Sequence, residues 1–271
     1  MKTRIIAAAV LLPLLLIVVL FLPKFCTAII FGIMAAIGAR ELTKGTGLVQ
    51  HHRLISYAMI MAFFVCVWSS MWTVYPLLLL GIFGLFCGMF AELLFTHTEL
   101  PFEKIAITFI AGWVMPFLLG AVVRIYSQLF GRVLILLPFV IAFSSDSAAY
   151  FAGKFLGKHK LAPVISPNKT VEGLLGGLLG AVLGVIAYCL VMDKILGLQV
   201  RYLYVPVYGI LGSLGAVFGD LCFSAVKRQT GIKDYGNLIP GHGGILDRFD
   251  SMIVVAPLVE LLMLYIPMVV K

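Results

Sequence analysis

In the segment IKDYGNLIPGHGGILDRFDS (Ile232–Ser251) a Lys, an Arg, a His and three Asp stand among closely spaced glycines. The IPGHGG portion predicts a tight loop whose backbone N–H groups can line up against an anion. A helix is expected to restart at LDRFDS, where spacings of three and four put Asp247, Asp250 and Ser251 on one face. Upstream, FGDLCFSAVKRQTGIKD places Asp220, Ser224, Lys227 and Arg228 on one helical stripe, with the acid deepest, the hydroxyl next and two cations at the mouth. Asp220 and Asp247 are thus expected at facing ends of two helices joined by one loop. Paired carboxylates ringed by phosphate-binding cations suit Mg²⁺, which keeps several waters and bridges substrate phosphates. Neither an HExxH motif nor a Cys/His pair is present, which argues against zinc. His242, flanked by Gly on both sides, could serve as ligand or base but reads first as a hydrogen-bonding loop residue.

Two further polar segments belong to the same argument. FSSDSAAYFAGKFLGK carries Asp146, Tyr150, Gly153 and Lys154 on one helical face, an acid running into a Lys-rich loop. In KLAPVISPNKTVEG, Pro163 and Pro167 prevent the helix from continuing. The next helix should begin near Thr170, with Lys169 at an end where free N–H groups attract anions and Glu172 favours the dipole. GKFLGKH echoes a P-loop but is one residue short and lacks the final Ser or Thr, so it is set aside.

The elements that must position these residues are membrane helices. Of 271 residues 62% are hydrophobic and 12% charged, with mean hydropathy +1.11, far oilier than a soluble domain. Apolar spans are expected at Ile5–Leu22, Phe25–Ala39, Leu54–Trp72, Tyr75–Phe95, Ile105–Ile125, Val133–Phe155, Gly173–Val191, Tyr202–Phe223 and Ile253–Val270. This is an all-α polytopic membrane protein of about nine spans, the second short enough to be re-entrant. Residues 1–100 form N-terminal membrane helices; residues 101–271 form a catalytic membrane domain with its motifs at 146–173 and 219–251. Ile5–Leu22 lacks a cleavage site in a polar context and is expected to be retained. Most Lys and Arg residues fall on one side of this topology, the cytoplasmic side, together with both motif loops. Even a re-entrant second segment leaves those loops together. The net charge of +8 is explained by such loops and needs no nucleic acid. GLLGGLLGAVLG and GSLGAVFG carry GxxxG spacings for close helix packing. The five cysteines, scattered through apolar segments without CxxC, read as packing residues.

SAVKRQTGIKDYGNLIPGHGGILDRFD (Ser224–Asp250) resembles the signature of the phosphatidate cytidylyltransferases, or CDP-diglyceride synthases. Every signature position is filled, and DSAAYFAGKFLGK and SPNKTVEG resemble two further blocks of that family; the first hundred residues match only in hydropathy. The resemblance implies a homodimeric inner-membrane enzyme, its site facing the cytoplasm among membrane lipids, that condenses CTP with phosphatidic acid. By this analogy Asp220 and Asp247 hold Mg²⁺, with a monovalent cation such as K⁺ beside it. Asp146, Lys169, Lys227, Arg228, Lys233, Asp234 and Arg248 line the polar site, and the signature's Ser224 and His242 join them. Two rivals differ in kind. A secondary transporter would use intramembrane Asp residues for H⁺ or Na⁺ and predicts related halves, but no internal repeat is visible. A CDP-alcohol phosphotransferase needs a paired-Asp motif around a DG step that this chain lacks. A scaffold would need no such set of acids.

Overall fold

The computed structural model describes residues 13–68, 75–96, 100–239, 241 and 243–270. It is mostly helical, and among the described residues the only sheets are two antiparallel pairs of strands. Among the described residues five helical segments are long and apolar enough to cross a membrane: Lys24–Gly45, Phe102–Tyr126, Gly131–Leu156, Val171–Lys194 and Tyr202–Gln229. His52–Trp68 and Leu79–Phe95 are shorter apolar helices. The first expected span falls partly outside the described residues.

Two expected boundaries change. The second segment, expected to end at Ala39, runs as an α-helix over Lys24–Arg40 and then as a π-helical turn over Glu41–Gly45. The polar residues there do not stop it, because Thr43 Oγ1 donates to the Ala39 carbonyl (2.7 Å) and Thr46 Oγ1 to that of Leu42 (2.5 Å). At the other end, the last helix covers Met252–Tyr265 rather than reaching Val270. Val269–Val270 instead pairs antiparallel with Gln199–Val200.

The chain forms two compact units, Met1–Ser127 with Lys227–Phe249, and Gln128–Val226 with Asp250–Lys271. Lys227–Phe249 groups with the N-terminal helices in the first of these units. In the first unit the Lys24–Arg40 helix packs on His52–Trp68, and a methyl added at Gly32 would meet Val67 and Phe63. Leu54, Met61, Ile82, Met89 and Ile105 form its core. In the second unit Leu137–Leu156 lies along Val171–Lys194. Gly176 faces Ala152 and Gly180 faces Ala148, and a methyl at either glycine would overlap the alanine Cβ. Leu175, Leu179 and Leu183 of the same helix are 61%, 63% and 55% exposed, so its opposite face is the exposed one. The Val205–Gln229 helix joins this layer through Gly212 against Ile141 and through a buried Ser145–Ser213 hydroxyl pair (2.7 Å).

Candidate active site

The second unit gathers Lys169, Thr170, Asp220 and Ser224. The segment after the Leu137–Leu156 helix is a hairpin, with Lys160–Ala162 paired to Ser166–Thr170 and Lys160 Nζ donating to the Pro167 carbonyl (2.7 Å). Thr170 ends it as the N-cap of Val171–Lys194, its hydroxyl accepting from the Gly173 amide at 3.0 Å. Gly153, Gly157 and Gly173 surround that hydroxyl so closely that a methyl on any of them would press on it. The side chain of Glu172 meets His159 Nδ1 at 2.6 Å and accepts from the His159 amide, bracing the hairpin's base. Held this way, Lys169 forms an ion pair with Asp220, whose other oxygen accepts from Ser224 Oγ at 3.1 Å. The spacing of four on one helix makes that second contact.

The first unit gathers Lys227, Tyr235, Gly243, Asp247 and Glu41. The Val205–Gln229 helix ends with the Ile232 amide bonded to the Lys227 carbonyl and the Gly231 amide to that of Arg228, Gly231 having φ +71°. This double-bonded glycine terminus turns the chain sharply into the signature loop. The loop closes on itself, with the Ile239 amide bonded to the Gly243 carbonyl at 2.9 Å. Gly243 has φ +84°, and a Cβ there would lie 2.8 Å from Asp247 Oδ2, so both backbone and space require glycine. Asp247, in the one-turn helix Leu246–Phe249, accepts from the Tyr235 amide (2.8 Å) and the Gly244 amide (3.0 Å) through Oδ2. Its Oδ1 takes the Lys227 ammonium at 2.8 Å, and Lys227 also lies 5.3 Å from the Tyr235 ring centre. Asp247 is buried and Lys227 nearly so, with side-chain exposures of 2% and 12%. Beside this core is an open cleft of about 560 Å³ lined by Lys233, Asp234, Asn237, Arg248 and the loop glycines.

Of the expected site residues, Lys169, Asp220 and Ser224 are thus brought together, as are Lys227 and Asp247; Lys233, Asp234 and Arg248 share one cleft. Asp146 is exposed on the Leu137–Leu156 helix, and Arg228 is exposed in the last turn of Val205–Gln229. His242 lies outside the described residues. The one-turn helix stops at Phe249, so the expected face of Asp247, Asp250 and Ser251 does not lie on one continuous helix. Glu41 was not anticipated: its carboxylate accepts from the Ile245 and Leu246 amides at 3.1 and 2.8 Å. An isolated acid at the end of an oily segment was the only available signal.

The donor chemistry fits a hard divalent cation. Among the described residues Asp220 has one partner on each oxygen and Asp247 Oδ1 has Lys227, so lone pairs remain for a metal. Among the described residues no group of three or more His, Cys, Asp or Glu is gathered for a metal. Mg²⁺ needs none, since one or two carboxylates, waters and substrate phosphates complete its shell.

Fold and clusters together define a helical membrane protein with Lys–Asp pairs set in polar, anion-suited loops. A family model described as the cytidylyltransferase family matches residues 2–266, and the chain belongs to that family. It is 41% identical to the phosphatidate cytidylyltransferase of Bacillus subtilis over 169 residues, 62% of this chain and 60% of the relative. It is 43% identical to that of Staphylococcus haemolyticus over 130 residues, 48% of each chain. The chain therefore spans about half to three fifths of the length of these relatives.

Proposed function

We propose that this chain condenses CTP with phosphatidic acid to give CDP-diacylglycerol and pyrophosphate, a step of phospholipid biosynthesis. The observation that carries the reading is the family match through residues 2–266, which runs across both Lys–Asp clusters. The names of the relatives supply the lipid substrate.

A phosphate oxygen of phosphatidic acid attacks the α-phosphorus of CTP. A new P–O–P bond forms, the bond from the α-phosphorus to the bridging oxygen of the β-phosphate breaks, and its electron pair leaves on pyrophosphate. The nucleophile is already an anion, so no base must take a proton, which suits a site rich in cations. Lys169, Lys227, Arg228, Lys233 and Arg248 would hold and align the phosphates, each charge-assisted contact contributing about 1.5–3 kcal/mol. Asp220 and Asp247, joined by the signature segment, would hold Mg²⁺, with K⁺ or a similar ion beside it. When bound, Mg²⁺ neutralises charge on the leaving group. By the family resemblance Asp146, Ser224, Asp234 and His242 would be expected to contribute to substrate binding. Positioning and electrostatics then account for most of the acceleration.

The same reading includes nine crossings, glycine-mediated helix packing, a homodimer in the bacterial inner membrane and a site facing the cytoplasm, where CTP is available. The test is binding of labelled CTP to the purified protein in detergent, with and without Mg²⁺. Saturable binding competed by unlabelled CTP supports the reading. Absence of binding, with transport driven by a cation gradient in vesicles, favours a carrier.

A further inference from the structure

We infer that Glu41 is a positioning residue for the signature loop, an inference that rests on the cytidylyl-transfer reading for its kinetic consequence. Glu41 is 7% exposed and opens the π-helical turn Glu41–Gly45, an irregularity found often where a helix serves function. Both carboxylate oxygens are used: Oε1 accepts from the Ile245 amide and Oε2 from the Leu246 amide. These amides lie at the start of the one-turn helix that carries Asp247 and Arg248, where helix N–H groups lack partners of their own.

The glycines say the same from the other side. A methyl placed on Gly236 or Gly244 would run into the Glu41 carboxylate, and one on Gly45 would run into the Tyr235 carbonyl. Glu41 and Gly45, one turn apart, therefore seat both limbs of the loop, Tyr235–Gly236 and Gly244–Leu246. Asp247 ties those limbs together from within through the Tyr235 and Gly244 amides. The loop is clamped between two carboxylates, one inside the signature and one about two hundred positions upstream. Glu41 acts through the backbone that aims Asp247 and Arg248, not on the phosphates themselves.

The test uses the full chain in detergent with Glu41→Gln, Glu41→Ala, Gly244→Ala and the double variant Glu41→Ala/Gly244→Ala. Glutamine keeps the volume but offers one acceptor for two amides, so one N–H faces a donor. Hydrogen exchange over residues 244–246 should quicken about tenfold or more in Glu41→Gln, with the Val171–Lys194 helix unchanged. Gly244 lacks a positive φ, so Gly244→Ala should act by pushing the Glu41 carboxylate away and give the same signature. Removing the carboxylate removes that clash, so the double variant should be no worse than Glu41→Ala alone. The kcat of Glu41→Gln should fall about tenfold or more while the KM for CTP changes little. Unchanged exchange in Glu41→Gln, or fully additive losses in the double variant, would overturn the inference. A wild-type protein that transfers no cytidylyl group would instead defeat the functional reading, leaving the exchange result to stand or fall separately.

Discussion

Replacing Asp247 by Asn should cost both stability and turnover, and the structure sets the scale. Asp247 offers its oxygens to three donors: the Lys227 ammonium at 2.8 Å and the Tyr235 and Gly244 amides at 2.8 and 3.0 Å. Asparagine has one acceptor and one donor. If its oxygen serves the two amides, its NH₂ faces an ammonium; if it flips, its NH₂ faces two amides. With side-chain exposures of 12% and 2%, Lys227 cannot regain water without moving. Breaking a buried pair on one side costs about 3–5 kcal/mol. For a chain of this size that is a fall in Tm of roughly 6 °C or more. Adding Lys227→Met removes the stranded ammonium, so the double variant should melt above Asp247→Asn although both stay inactive. Thermal unfolding in detergent, followed by near-ultraviolet circular dichroism, measures this. An Asp247→Asn protein that melts like wild type, or a double variant that melts lower still, would refute the anchoring role.

Asp220→Asn should behave differently: its pair with Lys169 is 35% and 24% exposed, so stability should shift by no more than about 1 kcal/mol. Turnover should nonetheless fall by about a hundredfold or more if Asp220 holds the metal, and wild-type-like turnover at ordinary Mg²⁺ would remove that assignment. Thr170→Val deletes the cap at the end of the hairpin, costing about 1 kcal/mol and loosening Lys169; melting should drop slightly and the KM for CTP should rise. Cysteines placed at Lys158 and Thr230 should resist an impermeant thiol reagent applied outside intact cells, and efficient labelling there would reverse the topology.

Much of the local geometry was legible because it is written in short-range spacing. The stripe of Asp220 and Ser224 requires only helical periodicity, and Thr170 at the start of a helix requires only capping chemistry. The hairpin was harder. Pro163 and Pro167 argued correctly against helix, but nothing in the prolines says that Lys160–Ala162 pairs with Ser166–Thr170 and delivers Lys169 to Asp220. Glu41 was invisible for a stronger reason: its partners are the Ile245 and Leu246 amides, and no periodicity links residues so far apart. The second segment is expected to end at Ala39, whereas internal hydrogen bonds of Thr43 and Thr46 let the helix run on to Gly45. Asp247 was recognised by its type and company, but its role as the knot of its own loop depends on backbone amides that carry no residue identity.

The proposed reaction transfers the α-phosphorus of CTP to a lipid phosphate. The direct measurement incubates purified wild-type protein with Mg²⁺, phosphatidic acid and CTP labelled in parallel at the α- or the γ-phosphorus. The label is then counted in lipid and water phases. The α-label should enter the lipid phase as CDP-diacylglycerol while the γ-label appears in water as an equal amount of pyrophosphate. Both labels staying in water as intact CTP, or γ-label entering the lipid, would contradict it.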